Sequence, residues 1–504
     1  MSLKILVFIL FAAVIPAIGI RFKWYNKQFN SQNKLHIILL SISVVFFIVI
    51  ATMIFSEIYT PSSVYPFSES ITHFNAYEQQ LDAFLKGQLN IDYPVDGRLL
   101  NLENPYSRAQ REAAGVYYLW DRAMYNGNYY SYFGVAPILT IYFPFYFITG
   151  KIASASVVCY ILSIVTIVAI AFLTVKAARL FCKNVNFFLL LFAVFAVEFG
   201  SLLFMLLVSA DMYYIAMLSG VCNLSLFLLF TLSAAGAKKN SVKCIEYFFA
   251  GLFFILTVMS RPNMALLGLI TIPLYLHIFT DKQFKAGKKA IQVISFAVPV
   301  IIGAAAQMWY NNARFSSPFD FGSNYQLTVT DVSQYSITGL LFLPAMYHYF
   351  LQSPDIKSYF PYFHLSFNPY KGYYSGYFYN TRTLGALCFP SAWGFLMSPY
   401  LIMLKKIPLW KKSFYVLSIV LPVIIAFLDT CLGGVNIRYL ADILFVLVFA
   451  GAIILLDFYS SLDNVKTSVR IIIFIAITIV FAVTAMLGAC MIFENERYSF
   501  FTQY

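Results

Sequence analysis

The basic residues of this 504-residue chain are confined to short gaps between long apolar runs, and that confinement limits it to one class of fold. Twenty of its 34 Lys and Arg fall in six gaps. These carry Arg21, Lys23, Lys27 and Lys34; Lys176, Arg179 and Lys183; Lys238, Lys239 and Lys243; Lys282, Lys285, Lys288 and Lys289; Lys405, Lys406, Lys411 and Lys412; and Lys466 and Arg470. The alternate gaps are long and aromatic, or short with one or two isolated charges. Lys and Arg accumulate in the cytoplasmic loops of polytopic membrane proteins. The pattern therefore predicts an all-α polytopic membrane protein with its chemically distinctive residues on the extracytoplasmic side. Composition agrees, with 11% charged and 61% hydrophobic residues against roughly 25% charged in soluble domains. The basic gaps account for the net charge of +12, so nucleic acid is not an expected partner.

A span needs about 20 apolar residues. Candidates run approximately 3–20, 35–55, 152–175, 186–208, 212–233, 246–260, 263–279, 290–309, 385–404, 413–432, 438–457 and 471–492, about twelve spans with both termini outside. The run from Leu3 to Ile20 lacks a small-residue cleavage site and is followed by bases, so it reads as a retained span. Gly134 to Gly150, interrupted by Pro137 and Pro144, would invert every later loop if it crossed. It is expected to be a re-entrant or interfacial hairpin, since irregular backbone at that depth needs cover from protein or a water-filled cavity. The chain thus divides into N-terminal spans (1–55), a first extracytoplasmic loop with the re-entrant segment (56–150), a transmembrane bundle (151–309), a second extracytoplasmic loop (310–384) and a C-terminal bundle (385–504). The seven cysteines show no paired spacing, which indicates neither a disulfide framework nor a zinc site.

Two loops are too long to be connectors, and loops of that length usually carry function. The first, about Ser56 to Phe133, holds nine acids against five bases; the second, about Tyr310 to Thr383, is rich in Tyr, Phe and Pro. Within the first, Thr72 to Lys86 has apolar residues at helical spacing (Phe74, Tyr77, Leu81, Phe84) with Gly87 as a stop. A second helix is expected from Ser107 to Met124, with Asn126-Gly127 turning the chain back. Both are expected to lie on the outer membrane surface.

A carboxylate with a raised pKa suits the role of general base toward a hydroxyl. Asp82 is the first candidate, because Glu78 lies one turn before it and like charges raise one another's pKa; Asp121 and Glu57 follow. The structural alternative is ion pairing of these acids with Arg108, Arg111 or Arg122. Arg261, Arg382 and Arg438 are isolated bases at span ends on the outer side and call for an anionic partner such as a lipid phosphate. For Arg438 the alternative is Asp442 at i+4. Glu198 lies inside an apolar run and reads as structural, with an ion path as the other possibility for such an acid. His73, Tyr129, Tyr130 and Tyr377 are expected to contact substrate, the tyrosines by stacking on sugar rings. No His pair has ligand spacing, so no cofactor is required and a divalent metal is unsupported.

These features resemble the membrane glycosyltransferases of the GT-C superfamily, which includes the protein O-mannosyltransferases and the aminoarabinose lipid A transferase. The resemblance lies in the large acidic first loop, the Pro-containing segment after it, and four short strings. These are Leu81-Asp82-Ala83-Phe84-Leu85-Lys86-Gly87, the run from Trp120-Asp121 to Tyr132-Phe133-Gly134 with Pro137, Trp309-Tyr310-Asn311-Asn312-Ala313-Arg314-Phe315, and Arg438-Tyr439 with Asp442. It implies inverting transfer of a sugar from a polyprenyl-phosphate-linked donor to an extracytoplasmic lipid, glycan or protein acceptor, at a bacterial inner membrane. A loop carboxylate would deprotonate the acceptor, and a base would steady the departing lipid phosphate. The chain departs from the superfamily pattern in having Glu57 alone after the span, an additional N-terminal span, and Val135-Ala136-Pro137 before the hairpin. A lipid-linked glycan transporter or flippase and a glycan polymerase or ligase are the competing expectations.

Overall fold

The computed structural model describes residues 17–64, 71–280, 282, 285–329, 331–334, 339–366, 382–404, 407–463 and 465–494. Tyr377 and the rest of 367–381, and most of the N-terminal run, lie outside them. Twelve helical elements organise the described residues: α1 (Lys34–Ile58), α2 (Ala76–Leu85), α3 (Ile138–Thr149), α4 (Ala155–Phe181), α5 (Phe187–Val208), α6 (Met212–Gly236), α7 (Asn240–Ser260), α8 (Pro262–His277), α9 (Ala286–Phe315), α10 (Leu409–Gly433), α11 (Ile437–Ser460) and α12 (Thr467–Glu494). Among the described residues nine of these, α1, α4 to α7 and α9 to α12, are long and apolar enough to cross a membrane, so the chain is an integral membrane protein.

Helix starts follow local chemistry. The side chains of Asn33, Asn186, Asp211 and Asn436 accept backbone N–H groups at the first turns of α1, α5, α6 and α11, satisfying donors that no helical carbonyl can reach. The α11 helix is buried along nearly its whole length and forms the axis of the bundle. By contrast, α1 and α9 expose rows of apolar side chains, including Ile38, Val45, Met53, Ile301 and Ile302. With no water to expel between helices, lipid-embedded packing depends on close approach at small residues. Gly451 of α11 is one such point, where an added Cβ would overlap the Ser391 carbonyl of the 3₁₀ segment Pro390–Met397.

At the Lys/Arg-rich end the helices are tied by Lys411, which pairs with Asp457 at 2.6 Å and donates to the Phe181 carbonyl at 2.5 Å. Tyr459 donates there to the Tyr25 carbonyl at 2.7 Å. The opposite end carries the long loops. The α3 segment begins and finishes at that opposite end. Gly134, just before it, sits where a Cβ would overlap the carbonyls of Met259 and Ser260 at the end of α7. Just after it, Lys151–Ile152 pairs antiparallel with Ser63–Val64 beyond α1.

The first loop differs from the surface helix pair expected from its sequence. The α2 helix spans only Ala76–Leu85, held by a capping box between Asn75 and Glu78, and it is buried against α3 through Tyr77 on Tyr142 (5.9 Å) and Phe84 on Phe143 (6.0 Å). The second expected helix, Ser107 to Met124, ends after Arg108–Ala113, because Gly115 turns the chain with a positive φ of 56°. Beyond it comes a hairpin of β1 (Ala123–Tyr125) and β2 (Asn128–Tyr130). Asn126 and Gly127 both adopt positive φ at its tip, the geometry that hairpin strand twist favours.

Buried arginines join this loop to the second one through carbonyl oxygens rather than through acids. Arg111 donates to the carbonyls of Pro105 (2.8 Å) and Thr328. Arg314, at the end of α9, donates to the Ser131 carbonyl at 2.6 Å and lies 3.6 Å over the Tyr310 ring. Of the three arginines offered as partners for the loop acids, only Arg108 pairs with one, Glu112 at 2.6 Å.

Candidate active site

At the loop-bearing end, the start of α6, the end of α7, the end of α10 and the start of α11 surround a cavity of about 390 Å³. Its wall includes Tyr132, Tyr213, Arg261, Asn263, Asp429, Arg438 and Tyr439. An adjoining recess of about 60 Å³ shares Tyr132, Tyr213, Arg438 and Tyr439 and adds Asp121. Loop 2 closes one side through Gln326 and Val332.

Asp121 is placed there by backbone pairing between the loops. Its N–H donates to the Leu327 carbonyl (3.1 Å), and the Leu327 N–H donates to the Arg122 carbonyl (2.9 Å). Asp121 adopts the left-handed region, φ 55°, which costs a non-glycine residue energy and recurs at functional sites. The consequence is a pivot: the Asp121 side chain faces the recess, while Trp120 and Arg122 line a different cavity. Tyr213 donates a hydrogen bond to the Asp121 carboxylate and is itself hydrogen-bonded to Trp120. Burial holds the neighbouring Tyr132 phenol well above its ordinary range, and Asp121 adds to that effect, so Tyr132 stays neutral.

The two arginines of the cavity differ. Arg261 pairs with Asp442, and Asn263 donates to Asp429 (2.5 Å) and to Asp442 (3.2 Å). That cluster spends the charge of Arg261 internally. Arg438, expected to pair with Asp442 one turn on, does not; its guanidinium lies 4.4 Å over Tyr213 and 5.3 Å over Tyr439. Among the described residues no carboxylate pairs with Arg438. A cation held by ring faces beside an open cavity can take an anion.

The remaining sequence candidates are dispersed. Asp82 is buried and paired with Lys86 at 2.9 Å, which also holds Asp92 at 2.8 Å. Glu57 is exposed at the end of α1, Arg382 is exposed, and neither lines these cavities. Tyr129 is fully buried in a small cluster with Ile91, Leu99 and Leu327, and burial pushes its phenol up to about 12. Tyr130 is half-buried against Phe315, 5.5 Å away. His73 lines the cavity of Trp120 and Arg122. Glu198 is buried in α5, away from these walls. Asn263, Tyr132, Tyr213 and Tyr439 were not singled out by sequence; the available signal was Asp211 capping the very turn that carries Tyr213. No group of three or more His, Cys, Asp or Glu is placed to hold a metal ion among the described residues.

Glu78 makes a stability prediction. Its carboxylate caps α2, accepting the Asn75 N–H at 3.0 Å, and burial raises its pKa from 4.5 to about 7, opposed by the Asn75 bond and by Arg122. A raised acid binds more protons folded than unfolded, so stability is full below pH 4.5 and falls as pH rises toward about 7. The span of this loss is on the order of 3 kcal/mol. Glu78→Gln keeps the cap and is expected to flatten that slope in thermal unfolding of the detergent-solubilised protein; an unchanged slope would show that another group carries it.

The fold and cavity define a polytopic helical membrane protein with an acid and an unpaired guanidinium facing one recess at its loop-bearing end. No family model and no curated protein matches the chain. Among solved structures, the Archaeoglobus fulgidus oligosaccharyltransferase in the apo form aligns with a TM-score of 0.44 and 13% identity, over 89% of this chain and 56% of that one. This chain therefore spans about half the length of that protein, and its chemistry is argued from its own residues.

Proposed function

We propose that this protein is a membrane glycosyltransferase that moves a sugar, with inversion, from a polyprenyl-phosphate-linked donor to an extracytoplasmic acceptor. The observation that carries this reading is that Asp121 and Arg438 face the same recess with Tyr213 touching both. Asp121 accepts the proton of the acceptor hydroxyl as its oxygen bonds to the anomeric carbon. The bond from that carbon to the phosphate oxygen breaks, and the lipid phosphate departs with the electron pair toward Arg438. Stabilising that developing charge from a preorganised, partly dehydrated wall is the larger share of such catalysis. Arg261 instead positions the ends of α7, α10 and α11 through its carboxylate cluster.

The topology supports the reading. The site sits at the end away from the Lys/Arg-rich gaps, which puts it on the extracytoplasmic face of the bacterial inner membrane. In this reading the N-terminal run, α8 and the segment 390–403 complete about twelve spans, and α3, with both ends at the site, re-enters rather than crosses. The base is assigned to Asp121 over Asp82, Glu78 and Glu57, because those three do not line the recess.

The test is a transfer assay in membranes with a panel of polyprenyl-phosphate sugars. Wild type is expected to consume one donor, and Arg438→Gln to lower kcat/KM for that donor about 100-fold, the scale of losing one charge-stabilising donor. If wild type consumes no donor while labelled lipid-linked glycan crosses the bilayer, the chain is a transporter and the proposal fails.

A further inference from the structure

On the far side of Tyr213 lies a second cavity of about 470 Å³, within the roughly 300–1,000 Å³ range of small-ligand sites. The left-handed turn at Asp121 sends its two neighbours, Trp120 and Arg122, into this cavity, while Asp121 itself faces the recess. Tyr213 is common to both walls. Two aromatic rings of the cavity are open to ligand, with Tyr117 54% and Trp120 43% exposed. Around them stand polar groups already locked in place. Asn75 caps α2, and Asp211 caps α6 by accepting the Tyr213 N–H at 2.7 Å. Gln79 accepts from Arg122 Nε at 2.6 Å.

We infer that this second cavity is a carbohydrate subsite that holds sugar units of a glycan acceptor; calling that glycan the acceptor rests on the transfer reading above. A pyranose offers an apolar C–H face and an equatorial rim of hydroxyls. Flat, exposed rings take the first, and fixed amide and carboxylate groups take the second, with little ordering cost on binding. A phosphate-bearing lipid is a poorer match, because the one guanidinium here is occupied. Arg122 gives its Nε to Gln79, its Nη1 to the Trp120 carbonyl at 2.8 Å and its Nη2 to the Phe74 carbonyl at 3.3 Å. The two cavities then have separate tasks: anion at the Arg438 side, neutral polyhydroxyl at the Trp120 side, and Asp121 with Tyr213 between them.

The test uses the full-length purified protein in detergent on an array of soluble neutral, amino-sugar and acidic oligosaccharides, with unglycosylated Ser/Thr peptides printed alongside. Wild type is expected to be retained on a subset of the oligosaccharides. Tyr117→Ala is expected to weaken retention about tenfold, the scale of one aromatic contact, and Tyr117→Phe, which keeps the ring, to restore it. Retention of wild type on no oligosaccharide, equal retention of Tyr117→Ala, or retention on peptides alone would overturn the inference. Oligosaccharide binding by a wild type that consumes no polyprenyl-phosphate sugar would leave the subsite standing and remove the transfer reading.

Discussion

Asp121→Asn is expected to abolish glycosyl transfer, lowering kcat by two to four orders of magnitude, the range a positioned general base contributes. The substitution isolates the proton. Asn tolerates the left-handed backbone that residue 121 adopts, its side chain has the same shape, and the pairing with Leu327 uses only backbone atoms. Expression and thermal unfolding should therefore match wild type while transfer is lost. Asp82→Asn and Glu57→Gln form the comparison. Asp82 is engaged by Lys86, and Glu57 is exposed at a helix end, so transfer by both variants is expected to stay within about twofold of wild type. Single-turnover measurement with the consumed donor decides between these carboxylates. A loss of transfer in Asp82→Asn with Asp121→Asn active would move the base to α2 and the chemistry out of the recess.

The second large effect is on stability. Asp442→Ala is expected to destabilise the protein by about 3–5 kcal/mol, the cost of leaving a buried charge without its partner. The Asp442 side chain is fully buried and that of Arg261 is 18% exposed. Arg261→Met is expected to be as costly, because it leaves Asp429 and Asp442 facing one another around Asn263. The double substitution, Arg261→Met with Asp442→Leu, removes both charges and should recover most of the loss, since a buried pair replaced by apolar groups of similar volume is often neutral. Unfolding midpoints of the three variants in detergent measure this coupling. Additive losses would show that the two residues act independently and that the contact does not hold the ends of α7 and α11 together.

How much of this was legible in the sequence depends on the range of the signal. Spans are local: about 20 apolar residues bounded by charge must be placed in lipid wherever they fall, and the expected runs at 35–55, 212–233, 413–432 and 438–457 lie inside the observed α1, α6, α10 and α11. The hairpin tip at Asn126-Gly127 was legible for the same reason, because two adjacent positive φ values need those residue types. The expected helix at Ser107 to Met124 failed where a local preference met a distant partner. Leu327, some 200 residues on, pairs with the backbone at Asp121 and Arg122 and draws the segment out of the helix.

The site itself was only half legible. Sequence placed Asp121, Arg261 and Arg438 on one side of the membrane, because charge pattern determines which end of each helix faces which compartment. It could not say which acid meets which base. By spacing, Asp442 belonged to Arg438 on the next turn of one helix; in the bundle, the end of α7 brings Arg261 to Asp442 and leaves Arg438 to the rings of Tyr213 and Tyr439. In the same way, spacing ranked Asp82 first among the acids, and only the fold of α2 against Lys86 and Asp92 removed it from the recess. The sequence alone determined the class of fold, the approximate spans and the compartment of each charge, since these follow from transfer of each segment between water and lipid. Tertiary structure alone decided the pairing of Arg261, the freedom of Arg438 and the pivot at Asp121, because each is set by contacts between segments that are far apart along the chain.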